Sequence, residues 1–126
     1  MIVEISIEGM KPFEARIEES GSGTYLGFNK ALPIEGRVMR WGDEIYFYVG
    51  FRAPLEHGAR STMKVGEIAY WPDGPALAIF FGPTPASTST EPEAASECNV
   101  IGKTDAPAET LGKAKEGAKI VIALKR

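Results

Sequence analysis

The sequence holds one cysteine, Cys98, and one histidine, His57. A single thiol excludes an internal disulfide and suits a reducing compartment. A single imidazole, in a Gly/Arg loop with no Cys or second His near it, gives no metal-ligand spacing, so His57 reads as a surface residue and no metal is expected. Cys98 lies between a charged loop and Asn99-Val100-Ile101, with neither a helix N-terminus nor a cation beside it, and reads as a packed thiol at a strand edge. Asp43 and Glu44 are adjacent, so on a strand they point to opposite faces and make no acid–base pair; Asp43 reads as a turn residue after Gly42. A basic excess is missing too. With 14 Lys and Arg against 17 Asp and Glu, the formal net charge is -3, whereas a nucleic-acid surface needs a basic stripe. The lysines near the end, from Lys113 to Lys125, with Arg126, read as a solvated face. No apolar run approaches the ~20 residues that cross a bilayer, and the N-terminus lacks the basic region and apolar run of a secretory signal. The expectation is a soluble, cytoplasmic protein with neither nucleic acid nor membrane as partner.

What is present is strand pattern. A chain of 126 residues is one domain, residues 1–126, with a core that needs no staples. Its centre is Gly66–Pro85, where Ile68–Trp71 and Ala76–Phe81 flank a Pro-Asp-Gly-Pro turn. The two runs are short, apolar and rich in aromatic and β-branched residues, and the prolines and glycine between them forbid a helix, so they read as a buried hairpin. Leu77, Ile79 and Phe81 then point one way, Ala78 and Phe80 the other. Val3, Ile5 and Ile7 alternate with polar residues, as do Phe13, Ala15 and Ile17, which predicts a second hairpin. Tyr25, Phe28 and Leu32 recur at helical spacing, after cap candidates Ser22 and Thr24 and before Pro33.

Ile34–Trp41 reads as a strand turned at Gly42-Asp43 into Glu44–Phe51, where Ile45, Phe47 and Val49 share one face and Tyr46 and Tyr48 the other. Pro83–Glu97 is biased to Pro, Ser, Thr, Ala and Glu, and predicts a flexible loop at about 86–97. Asn99–Ile101 is a short strand. Asp105 can cap a helix from Ala106 to about Glu116, or the segment is a single turn because Gly112 interrupts it. Ile120, Ile122 and Leu124 make the last strand. The sum is a mainly β chain with one or two short helices, its alternating strands closed into a barrel that removes exposed edges.

Leu32-Pro33-Ile34-Glu35-Gly36, Trp41-Gly42-Asp43-Glu44-Ile45-Tyr46-Phe47, Gly66-Glu67-Ile68-Ala69-Tyr70-Trp71-Pro72, Ala76-Leu77-Ala78-Ile79-Phe80-Phe81-Gly82-Pro83-Thr84-Pro85 and Asn99-Val100-Ile101-Gly102 together resemble the small bacterial and archaeal cyclophilin-like proteins. The similarity runs from Met1 to about Leu124 and implies a closed eight-stranded β-barrel in a family largely of unassigned function. A narrower resemblance is to the peptidyl-prolyl isomerases themselves. Ile79-Phe80-Phe81 looks like their Gln-Phe-Phe strand, which would put Phe81 in the proline pocket and Phe80 in the core. Val38-Met39-Arg40 matches their Phe-His-Arg, with Arg40 at the catalytic arginine. In this sequence Ile79 replaces the pocket Gln, and Ile45-Tyr46-Phe47-Tyr48 replaces Phe-Met-x-Gln.

The aromatics Tyr46, Tyr48, Tyr70 and Trp71 are amphipathic and lie on core strands, a composition common in binding surfaces. The leading expectation is a binding domain. Its groove, bounded by Arg40, Tyr46, Trp71 and Phe81 on the outer wall, with Tyr48 and Ile79 among the contact residues, takes a proline-containing peptide or small organic ligand and no cofactor. The alternatives are a weak prolyl isomerase using Arg40, and a homodimer that buries the same aromatics.

Overall fold

Hydrophobic alternation is realised directly at both ends of the chain. In the computed structural model, which describes residues 1–125, β1 (Ile2–Ile7) and β2 (Phe13–Ile17) form an antiparallel hairpin with Val3 opposite Ala15. On its other side β1 pairs with β10 (Lys119–Leu124), Ile5 opposite Ile122. Between them come α1 (Gly23–Ala31), β3 (Ile34–Arg37), β4 (Met39–Arg40), β5 (Glu44–Tyr48), β6 (Arg60–Thr62), β7 (Glu67–Trp71), β8 (Ala76–Phe80), β9 (Glu93–Thr104) and α2 (Ala108–Leu111). Arg126 lies outside the described residues. Helix α1 starts where expected: the Ser22 hydroxyl accepts from Tyr25 N, the Glu56 carboxylate accepts from Thr24 N, and the helix buries Tyr25 and Phe28.

The strand order is β3-β10-β1-β2-β9-β7-β8-β5-β4, with β6 added to β9. This is a ten-stranded sheet whose ladder does not close, in place of the expected closed eight-stranded barrel. The two extra strands have identifiable origins. The expected strand Ile34–Trp41 divides at Val38, so that β3 pairs with β10 while β4 pairs with β5. The other is β6, which arises from a stretch without alternation and pairs with β9. The two ends of the order, β3 and β4, are consecutive in the chain with only Val38 between them, so the sheet curls until its edges lie side by side. Val38, fully buried, ties this seam to the turn before β10: it donates to Ala118 O and accepts from Gly117 N.

One further expectation changes, and one that stood as two alternatives is decided. Residues 93–97, expected in a flexible loop, open the long strand β9, whose first half is held by pairing with β6 (Arg60 opposite Cys98, Thr62 opposite Glu93). The turn before it is tied by Thr84 Oγ1 donating to Glu93 O and Ser87 Oγ donating to Glu91 O. Composition concealed the strand because its buried residues, Ala94 and Cys98, are small and its partner β6 is distant in sequence. Of the two readings of the segment after Asp105, the single turn holds: α2 has four residues, begins at Pro107 without a side-chain cap from Asp105 and ends at Gly112.

The hairpin β7–β8 is buried on both faces, which accounts for its unbroken apolar run. Ile68, Tyr70, Leu77 and Ile79 face the main core with Val3, Ile5, Phe28, Phe47 and Ile120. Ala69, Ala78 and Phe80 face a second, smaller cluster with Met63, Ala94 and Cys98. Gly66 locks the entry to this hairpin: it donates to Phe80 O at 2.7 Å and accepts from Thr104 N at 2.8 Å. Its φ is +93°, and a Cβ there would collide with Thr104 O. Gly66→Ala is therefore expected to destabilise the fold by roughly 2 kcal/mol or more, read as a lower urea midpoint at unchanged m-value.

Candidate functional site

The period of two on β5 carries Glu44, Tyr46 and Tyr48 to the outer face, opposite Phe80, Ala78 and Ala76. On β7, Trp71 reaches the same face opposite Ala76. Large rings standing among alanines leave a hollow of about 280 Å³, lined by Trp41, Glu44, Tyr46, Tyr48 and Trp71 with Ala94, Ala95 and Cys98 of β9. The rings are held in place. The Trp71 indole N–H donates to Ser96 Oγ at 2.6 Å, and Ser96 in turn donates to Asp73 Oδ2 at 3.1 Å. Tyr46 and Tyr48 meet edge to face at 5.9 Å, with Tyr48 on the exposed rim.

The polar group in this apolar setting is Glu44. It is 8% exposed, and its Oε1 is buried with no hydrogen-bond partner among the described residues. Burial pushes its carboxyl up to about 8, because the charged form loses its hydration and gains no cation. Burial likewise raises the Tyr46 phenol, with smaller contributions from Tyr48 and Glu44. The Cys98 thiol is pushed up to about 12 by burial, with Glu44 and Asp73 adding to it; it stays protonated and is no nucleophile at neutral pH.

Arg40 and Phe81 meet, but elsewhere. Arg40 pairs with Ile45 and so shares the face of that core residue, not that of Tyr46. Its guanidinium lies 5.2 Å from the centroid of the Phe81 ring. Nη1 donates to Gly112 O at 3.1 Å and Ala114 O at 2.8 Å, Nη2 donates to Gly42 O at 3.1 Å, and Asp43 stands 3.9 Å away. Phe81 is buried in the main core beneath it, as are Ile79 and Tyr70. The Tyr70 hydroxyl is occupied by Phe51 O and Ala53 N. The groove expected between Arg40, Tyr46, Trp71 and Phe81 therefore separates into two places. Tyr46, Tyr48 and Trp71 share the cavity; Arg40 and Phe81 close one end of the main core; Ile79 belongs to that core; and Phe80 packs in the second cluster. Alternation alone puts Glu44 on the face of Tyr46 and Tyr48, and that signal could have marked it as a site residue. Ala94, Ala95 and Cys98 carry no such signal, since the course of β9 was hidden, and Trp41 lies in the turn between β4 and β5, where alternation assigns no face.

The curled antiparallel sheet with two short helices defines a mainly β domain of cyclophilin type. The chain belongs to the Cyclophilin-like family, whose model matches residues 1–123. Among solved structures it is similar to the hypothetical protein AF2241 from Archaeoglobus fulgidus, with 30% identity, TM-score 0.80, and coverage of 99% of this chain and 95% of that one. It shares its fold with McbB, solved in complex with tryptophan, at 11% identity and TM-score 0.69, covering 98% of this chain and 44% of McbB. No curated protein matches the chain. No helix among the described residues is long and apolar enough to cross a membrane.

Two substitutions separate the roles of these residues. The carboxyl of Glu44 has its folded-state pKa raised, so its contribution to stability is fully present below about pH 4.5 and is lost as pH rises through about 8. Glu44→Gln should match the parent at pH 4 and exceed it at pH 9, by on the order of 3 kcal/mol, in denaturant titrations at the two pH values. Arg40→Ala, which strips a donor from three backbone carbonyls, should cost roughly 2 kcal/mol, measured as a loss of stability at pH 7.

Proposed function

We propose that this protein is a ligand-binding domain that takes a small organic molecule in the cavity walled by Trp41, Tyr46, Tyr48 and Trp71. The observation that carries the reading is the braced aromatic wall itself. An indole fixed through Ser96 and Asp73 loses little freedom when a guest stacks against it, so its contact area converts efficiently to affinity. A volume of about 280 Å³ suits a small molecule or a single side chain better than an extended peptide. Prolyl isomerisation would need Arg40 to donate to the twisting amide by differential binding, and its Nη1 and Nη2 already serve the carbonyls of Gly112, Ala114 and Gly42. This favours binding over turnover.

The test is a two-dimensional NMR titration of labelled protein with a set of small aromatic and aliphatic compounds and, separately, a proline-containing peptide. Binders should move resonances of Tyr46, Tyr48, Trp71 and Ala94 and leave Phe81 and Gly112 in place, without speeding cis/trans exchange of the peptide. Trp71→Ala should weaken binding about tenfold or more. Shifts clustered around Arg40, or peptide exchange accelerated by the protein and lost in Arg40→Ala, would overturn the reading.

A further inference from the structure

We infer that the cavity takes an organic cation, a substituted ammonium whose charge meets the Glu44 carboxylate and whose alkyl groups lie against Trp41, Tyr46 and Trp71. The inference rests on the ligand-binding reading of the cavity and adds the chemical class of the guest. Three observations support it. First, four aromatic rings, Trp41, Tyr46, Tyr48 and Trp71, line the cavity, and aromatic π-faces attract cations, most strongly when the site is desolvated.

Second, the carboxyl group lining the cavity is more than nine-tenths buried with an unpartnered oxygen. A buried carboxylate is stable only when paired or hydrogen-bonded, and the fold supplies neither: the Trp71 N–H is given to Ser96, and Arg40 lies on the opposite face with Ile45, its Nη1 and Nη2 given to backbone carbonyls. Third, among the described residues no Lys, Arg or His lines the cavity. The ionisable groups that face Glu44 are Tyr46 and Tyr48 on its own strand and Cys98 on β9, with Asp73 and Glu116 bearing on the cavity's thiol and phenol. None of them carries positive charge, so an anionic guest finds no cation to pair with.

Proton linkage follows. With its pKa raised to about 8, Glu44 holds a proton at neutral pH. A cation binds the carboxylate form, so that proton passes to solvent when the guest enters. A quaternary ammonium does not titrate, which assigns any pH dependence to the protein.

The test is calorimetric titration of the full chain with choline and with its neutral isostere 3,3-dimethyl-1-butanol at pH 6, 7, 8 and 9. Choline affinity should rise about ninefold from pH 6 to 7, about fivefold from pH 7 to 8 and less than twofold from pH 8 to 9, and the isostere should bind at least tenfold more weakly at pH 9 with no such rise. Glu44→Gln should flatten and weaken choline binding, while Glu44→Asp, which keeps the charge, should retain the rise with pH. Circular dichroism of both variants confirms folding. Equal affinity for choline and the isostere would overturn the cation inference and leave the cavity as an apolar ligand site. Absence of choline binding at millimolar concentration, while neutral aromatics still shift Trp71, overturns it in the same way. If no probe of either kind perturbs Tyr46 or Trp71, the binding-domain reading falls with it.

Discussion

The structure depends on a hairpin that is wet on neither side. Ile68 lies opposite Ile79 and Tyr70 opposite Leu77, and these four side chains fill the main core from one face of β7–β8. From the other face Ala69, Ala78 and Phe80 pack against Met63, Ala94 and Cys98. A sheet that curls round a single core leaves its outer face to solvent; here β6 and the first half of β9 cover part of it. The outer cover is what makes a cavity available, because a hollow needs walls that rise above the sheet.

Register then decides the chemistry. Each outward position on β5 is set by its partner on β8, so Glu44, Tyr46 and Tyr48 stand in a row above small or buried neighbours. The same pairing sends Arg40, one strand further out, to the inner face with Ile45. A slip of one residue would exchange these two sets completely. The carboxyl in the aromatic row and the guanidinium over Phe81 are thus separated by the sheet itself, and each meets a different fate. Arg40 finds carbonyl acceptors from three residues and gives structural support; Glu44 Oε1 finds no partner among the described residues and keeps its chemistry in reserve.

Much of this architecture was legible in the residues. Alternation located the first hairpin, the final strand, and the inward and outward sets of β5 and β8; two continuous apolar runs about a Pro-Asp-Gly-Pro turn located the central hairpin; Ser22 and Pro33 bounded the one substantial helix. What stayed hidden has a common cause. Strands β6 and the start of β9 have little apolar pattern and exist through backbone pairing with each other, which a single sequence does not display. The division of Ile34–Trp41 at Val38 depends on which neighbour each half meets, again a non-local fact. The site was half legible for the same reason. The tyrosines and Trp71 stood out by type and face, but motif similarity drew Arg40, Ile79 and Phe81 into one groove with them, although the parity of the strands placed those residues on the core side.

Both tryptophans of the chain, Trp41 and Trp71, stand in the wall of the cavity. Indole emission is governed by the polarity and the quenchers near the ring, and the Cys98 thiol and the Glu44 carboxyl line the same cavity. The protein's intrinsic fluorescence is consequently a private optical channel onto this one chamber, undiluted by any indole elsewhere, and an unlabelled sample in a cuvette reports directly on what enters it.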